Sequence, residues 1–139
     1  MPQHIFVNLP IADVAASRRF FSALGFGFNE QFSNEQGLCM VVADNIFVML
    51  LRRDFFASFC TKPVVDARQA TEVLVCISRE TRAAVDEMVA LAVAAGGSVP
   101  RPPQVHGDFM YGHAFEDLDG HVWELSWLNP DVAPGAQPG

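Results

Sequence analysis

The chain carries one order of predicted elements twice: strand, helix, then three strands. The first copy has a strand at residues 4–10, a helix capped by Asp13, and strands at 26–32, 38–43 and 46–51. The second has a strand at 71–77, a helix at 79–95 capped by Ser78, and extended segments at 99–104, 109–116 and 121–127. Segments 44–50 and 119–125 align at an offset of 75, and Phe6 aligns with Glu72 at an offset of 66.

This duplication predicts an α+β fold of two βαβββ modules that form cupped mixed sheets, at about residues 3–52 and 70–128. Residues 53–69 would connect the modules, and residues 129–139, rich in Pro, Gly and Ala, would form a disordered tail. Phe55, Phe56 and Phe59 predict a short helix in the connector, either a flap over the core or a lid over a pocket.

Composition narrows the possible partners. The chain has 139 residues, half of them hydrophobic, which is enough for a core. A net charge of −7 argues against nucleic acid and anionic membranes as partners. No apolar run has membrane-spanning length, and no signal-peptide pattern is visible at the N-terminus. Three unevenly spaced cysteines fit reduced thiols, so the expected location is the cytoplasm.

The closing hairpin places a carboxylate in an apolar strand. Asp119-Gly120 is typical of a two-residue hairpin turn, and Glu124 follows it between apolar neighbours. A two-residue turn would set Phe115 opposite Glu124, so Tyr111, His113 and Phe115 would share the face of Glu124. One additional loop residue would reverse that face. The structural alternative for Glu124 is a partly exposed carboxylate paired with a nearby Arg or His.

Strand alternation assigns one face of each module to a cavity. In the second module this face carries Glu72 and Glu124, and the repeat places Phe6 and Met49 at the corresponding positions of the first module. Asn8 and Phe47 fall on the same side. His4, His106 and His121 are expected at the surface, and Cys76 is expected to be a small core residue.

Two motifs resemble the glyoxalase/bleomycin resistance/dioxygenase family, or vicinal oxygen chelate superfamily: Leu24-Gly25-Phe26, and the ending Asp117-Leu118-Asp119-Gly120 followed by Glu124-Leu125. With the module order, the resemblance covers residues 4 to 128, a single domain. It implies a divalent metal held at four positions, commonly two histidines and two glutamates. These fall on Phe6, Met49, Glu72 and Glu124, so the ligand set is incomplete. The resemblance also implies a homodimer and a small-molecule ligand.

Two functions follow from this pattern. As an enzyme, the protein would be a metal-dependent lyase or isomerase acting on a small carbonyl or aromatic compound, although lactoylglutathione lyase activity is not expected. Glu72 and Glu124 would hold Zn, Ni, Mn, Mg or Fe, with Glu124 and His113 as catalytic groups. As a binding protein of the bleomycin-resistance type, it would sequester a hydrophobic or cationic molecule without metal. The predicted ligand-binding residues are Phe6, Asn8, Phe47, Met49, Tyr111 and Phe115.

Overall fold

The computed structural model describes residues 3–131, which form two compact units that divide between Gln69 and Ala70. Each unit has the order strand, helix, strand, strand, strand and forms a four-stranded mixed sheet, which confirms the predicted α+β fold of two βαβββ modules. Asn129, the expected first residue of the tail, is bound to the hairpin through its backbone amide and the carbonyl of Phe109 at 2.8 Å. The rest of the predicted tail, 132–139, lies outside the described residues.

The first unit forms a sheet in the order β1-β4-β3-β2, with β1 parallel to β4. Asp13 caps the first helix by accepting a hydrogen bond from the amide of Ala16 at 3.0 Å. Phe20 and Phe21 on that helix are buried, as are Leu9 on β1 and Leu50 on β4. The elements are β1 (Ile5–Ile11), α1 (Val14–Ala23), β2 (Gly27–Phe28), a 3₁₀ turn (Glu30–Phe32), β3 (Gly37–Ala43), β4 (Ile46–Arg52) and α2 (Arg53–Ala57).

The connector begins with the short helix that its phenylalanines predict. Helix α2 follows β4 directly and contacts β1 and β4 of its own unit. Phe55 and Phe59 pack edge to face at 5.1 Å, although Phe59 stays exposed. These contacts favour a flap on the first sheet, and the lid stays a prediction.

The second unit repeats this arrangement in the order β5-β8-β7-β6, with β5 parallel to β8. Ser78 is the last residue of β5, so the expectation that it caps the second helix is wrong. The cap is Thr81, whose hydroxyl accepts a hydrogen bond from the amide of Ala84 at 2.9 Å. The elements are β5 (Leu74–Ser78), α3 (Arg82–Ala94), β6 (Gln104–His106), β7 (Met110–Glu116) and β8 (Val122–Leu128).

Strand register corrects the internal alignment. Phe47 and Val122 are equivalent at the offset of 75, and their partners on the parallel strands are Phe6 and Leu74. The first strands therefore align at an offset of 68, and Phe6 corresponds to Leu74, not to Glu72. The two helix caps, Asp13 and Thr81, have the same offset. So do four buried helix positions, whose pairs are Ser17/Val85, Phe20/Met88, Phe21/Val89 and Leu24/Ala92.

The turn between β7 and β8 is organised by the buried carboxylate of Asp117. One of its oxygens accepts hydrogen bonds from the amides of Asp119 and His121, and the other accepts one from the indole of Trp123 at 3.0 Å. Burial raises the pKa of this carboxyl, and the charge of His121 opposes that rise. The backbone amide of Asp117 also donates to the carbonyl of His121 at 3.0 Å. The loop is therefore one residue longer than the two-residue turn expected from Asp119-Gly120.

This additional residue reverses the face of β7. Ala114 lies opposite Glu124, and Phe115 lies opposite Trp123. The prediction that Tyr111, His113 and Phe115 share the face of Glu124 is therefore wrong, because side chains alternate along a strand. Phe115 is fully buried and its ring lies parallel to that of Trp123, at 6.2 Å.

On the other face of β7, Tyr111 contacts side chains of α3 instead. The hydroxyl of Tyr111 donates to the carboxylate of Asp86 at 2.5 Å, and this bond raises the pKa of the phenol. The guanidinium of Arg82 lies over the rings of Tyr111 and Trp127, at 5.6 and 5.0 Å. Burial lowers the pKa of His113, whose Nδ1 atom is enclosed without a hydrogen-bond partner among residues 3–131.

None of the helices within residues 3–131 is long and apolar enough to cross a bilayer.

We expect Asp117→Ala to lower the free energy of unfolding of the second unit by about 2–4 kcal/mol, because the buried indole N–H of Trp123 loses its acceptor. Denaturant unfolding followed by tryptophan fluorescence measures this, since both tryptophans lie in the second unit. The control is Asp44→Ala in the exposed turn before β4, where the change should stay within about 0.5 kcal/mol. Equal effects of the two substitutions would contradict the role of Asp117.

A second prediction concerns the pH dependence of stability. Burial lowers the pKa of His113 in the folded protein. The contribution of its neutral imidazole to the free energy of unfolding is therefore fully present above the pKa of the unfolded state, about 6.5. That contribution should decline as the pH falls from 7.5 through 6.5 toward the lower folded pKa. The substitution His113→Gln should reduce this loss, whereas His106→Gln, at an exposed position, should not. Unfolding midpoints measured between pH 7.5 and 5 test this, and identical pH profiles for the two variants would refute it.

Candidate functional site

The first unit leaves one face of its sheet open. Leu9, Val48 and Leu50 on the opposite face are buried in the core. We call Phe6, Asn8, Phe47 and Met49 the first open face; all four are exposed or half-exposed. Strand register pairs Phe6 with Phe47 and Asn8 with Met49. The structure therefore brings together the four residues that the sequence assigned to ligand binding in this unit.

Three nearly parallel rings stand at one end of this face, and we call them the aromatic platform: His4, Phe6 and Phe47. The centroids of Phe6 and Phe47 are 5.0 Å apart with an interplanar angle of 15°. The imidazole of His4 lies 5.7 Å from Phe47 at 7°, and 6.3 Å from Phe6 at 14°. Phe6 remains 53% exposed, so its ring is accessible to a ligand.

His4 is a third member of this site that the sequence pattern alone does not single out. It belongs to the platform because residues two apart in an extended chain point the same way, so His4 shares the side of Phe6. The sequence indicates this, because His4, Phe6 and Asn8 are alternate residues of the predicted first strand. The amide of the Asn8 side chain donates to the carbonyl of Phe6 at 3.3 Å, which orients it along the strand.

The second unit has a corresponding open face, which we define by Cys76, Glu124 and Ser126. Glu124 is paired with Arg101 through Oε2 and Nη2 at 2.6 Å, and the two side chains are 28% and 30% exposed. The structural alternative of an arginine partner for Glu124 is therefore confirmed. The Sγ of Cys76 lies 3.2 Å from the Oγ of Ser126, and Cys76 is exposed, not the core residue that was expected. Catalytic roles for Glu124 and His113 stay predictions.

Glu72 does not lie beside Glu124. It stands two residues before β5 begins, and the partner of Glu124 on that strand is Cys76. Glu72 lies in a bend outside the sheet, four residues before Cys76. The register thus disagrees with a metal shared by these two carboxylates. The helix caps indicate the correct alignment of the first strands, because Asp13 and Thr81 have the same offset of 68 as Phe6 and Leu74.

The residues present do not fit the metal that the family resemblance implies. The implied positions in the first unit hold Phe6, which has no donor atom, and Met49, whose thioether suits soft metals only. Glu124 is already bound by a guanidinium. Residues 3–131 contain no group of three or more His, Cys, Asp or Glu side chains arranged to hold a metal ion.

Comparison with known proteins gives the same fold. The family model for the N-terminal part of bleomycin resistance protein-like domains matches residues 3–44. A hypothetical protein, SA1046 of S. aureus, is 28% identical, with a TM-score of 0.77 over 91% of this chain and 95% of that chain. No curated protein matches the sequence.

Two further solved structures have a similar fold. A glyoxalase-related enzyme from Fulvimarina pelagi is 22% identical, with a TM-score of 0.77 over 94% of this chain and 90% of its own. The fosfomycin resistance protein FosX from Listeria monocytogenes is 15% identical, with a TM-score of 0.67 over 94% and 97% of the two chains. These two likenesses show the fold alone. With two βαβββ modules and an N-terminal match to the bleomycin-resistance model over residues 3–44, the chain has the fold of the glyoxalase/bleomycin resistance/dioxygenase family, also called the vicinal oxygen chelate superfamily, and is similar to it in sequence over that segment.

Proposed function

We propose that this protein binds flat aromatic small molecules on its aromatic platform, leaving them chemically unchanged and using no metal. The observation that supports this most directly is the parallel arrangement of His4, Phe6 and Phe47 on an open sheet face. Rings that are already stacked leave an outer ring face onto which another ring can stack, and the negative face of a ring also favours planar cations. The family model that matches residues 3–44 is named for bleomycin resistance, which is consistent with a drug-sequestering role.

The first open face supplies the other requirements of such a site. Met49, next to the platform on β4, has a flexible and polarisable side chain that adapts to ligands of different outline. Asn8 offers an amide that can hydrogen-bond a polar substituent of the ligand. Leu9, Val48 and Leu50 pack the strands from the other side, so the open face is held by a rigid core.

The metal-dependent lyase is the weaker hypothesis. It needs a cation to polarise a carbonyl, and the donor set described above does not supply its ligands. It also needs His113 near Glu124, whereas these residues lie on opposite faces of the second sheet. A binding protein requires neither condition.

The first test uses a matched pair of neutral probes, 2-naphthol and decahydro-2-naphthol. The flat aromatic alcohol should bind more tightly than its saturated counterpart, with amide shifts at residues 4, 6 and 47 in a nuclear magnetic resonance titration. Phe6→Leu should weaken 2-naphthol binding by roughly two- to tenfold, because a stacked ring contributes about 0.5–1.5 kcal/mol beyond its area. The control is Phe32→Leu, which removes another exposed ring of the same unit outside the platform and should have no effect.

Equal affinity for the two probes, or an unchanged affinity in Phe6→Leu, would refute stacking on the platform. The same titration with EDTA and with Zn²⁺ or Mn²⁺ tests metal independence, and the dissociation constants should agree within about twofold. An affinity that rises more than tenfold with metal and is lost in Glu124→Gln would instead support the lyase hypothesis.

We also propose that the protein is cytoplasmic, as its three unevenly spaced cysteines indicate, and that it is a homodimer, as the family resemblance implies. Strands β1 and β5 stand at sheet edges with exposed apolar residues, including Ile5 and Leu74, and such edges favour pairing or coverage. Light scattering of the purified chain should give about 30 kDa, twice the monomer mass of 15.2 kDa. A mass of one chain at micromolar concentration would contradict it.

A further inference from the structure

We propose that Arg101 is a ligand-binding residue, whose guanidinium binds a neutral carbonyl oxygen of a small molecule at the second open face. This goes beyond the stacking function, because it concerns other residues in the other unit. The observation that carries it is the hydrogen bonding of the guanidinium. Nη2 is bound to Glu124 at 2.6 Å, but Nη1 is enclosed and has no acceptor among residues 3–131.

An incompletely bonded guanidinium is unusual in a pair that serves structure alone. Buried polar atoms are nearly always hydrogen-bonded, and leaving a charged donor without an acceptor is more costly than leaving a neutral one. Arginine also carries five N–H donors in a fixed planar arrangement, so one carboxylate oxygen at Nη2 satisfies only part of them. The Arg101–Glu124 pair therefore has capacity for one more oxygen acceptor.

The neighbouring strand leaves room for this interaction. Arg101 precedes β6, which pairs with β7 on the side away from β8, so its side chain crosses β7 to reach Glu124. Beside Ser126 and Glu124, β7 presents the small residues Gly112 and Ala114, which are their register partners. A side chain added at Gly112 would meet the Cε of Met110 at 3.3 Å and the carbonyl oxygen of Leu125 at 3.4 Å.

The pair is also accessible from solvent. About 30% of the Arg101 side chain and 28% of the Glu124 side chain are exposed, so a ligand can approach the pair at its surface. Cys76 and Ser126 lie beside Glu124 on the same face, and both offer weakly polar groups at its border.

Charge selects a neutral carbonyl over an anion. Glu124 already neutralises the guanidinium, so a bound carboxylate would stand close to the Glu124 carboxylate and be repelled. A ketone or amide oxygen accepts a charge-assisted hydrogen bond from Arg101 without that repulsion. The ligand class is therefore a small molecule with an uncharged C=O group.

The experiment is a nuclear magnetic resonance titration of the full chain with three probes that share one ring: acetophenone, ethylbenzene and benzoate. Acetophenone should shift the Arg101 Nε–H signal and the amides of residues 76, 124 and 126, and bind about tenfold more tightly than ethylbenzene. Benzoate should bind more weakly than acetophenone. Signals from residues 4, 6 and 47 report the aromatic platform separately, so failure of one proposal is distinguishable from failure of the other.

Two substitutions isolate the residue. Arg101→Lys keeps the charge but removes the planar group, and should weaken acetophenone binding about tenfold, whereas Arg68→Lys in the connector should not. Glu124→Gln keeps an acceptor for Arg101 while removing the negative charge, so benzoate binding should strengthen to at least that of acetophenone. Equal binding of acetophenone and ethylbenzene, or an unchanged affinity in Arg101→Lys, would overturn the proposal. If Arg101→Lys does not fold, the comparison of acetophenone with ethylbenzene on the unmodified chain still decides whether the site binds a carbonyl oxygen.

Discussion

The Asp117 carboxylate fixes the turn on which the second unit depends. It accepts hydrogen bonds from two backbone amides of the turn and from the buried indole of Trp123. Together with the bond from its own amide to His121, these contacts set the register of β7 on β8. Side chains alternate along each strand, so this register determines which residues meet Glu124 and which enter the core. A turn shorter by one residue would exchange Ala114 for Phe115 beside Glu124.

The two units preserve the same core around different open faces. Leu9, Val48 and Leu50 in the first unit correspond to Ile77, Trp123 and Leu125 in the second, at the offsets of 68 and 75. Four of these six residues, Val48, Leu50, Trp123 and Leu125, are at most 1% exposed. The open faces have diverged: the pair Asn8–Met49 corresponds to Cys76–Glu124. Apolar packing constrains the core positions, whereas the open faces are free to change with the ligand.

Similarity to this family therefore describes the scaffold better than the chemistry. The resemblance implied metal ligands at four positions, of which only Glu124 combines a suitable donor with a place on an open face. Its carboxylate is bound by Arg101, so a guanidinium supplies the positive charge that a metal would bring elsewhere. A face with stacked rings and a face with an arginine–glutamate pair fit molecular recognition more readily than Lewis-acid catalysis.

The sequence by itself determined the two modules, the order of their elements and the ring-bearing face of the first unit. These follow from apolar periodicity, helix caps and alternation, which act between residues close in the chain. It could not decide the length of the β7–β8 turn, because Asp119-Gly120 is compatible with more than one loop. The longer loop is stabilised by the hydrogen bond that the indole of Trp123, on the returning strand, donates to the carboxylate of Asp117. The Arg101–Glu124 pair joins residues 23 apart across an intervening strand, and no local pattern encodes such a contact. Only the tertiary structure, through strand register and side-chain reach, decided which polar groups meet.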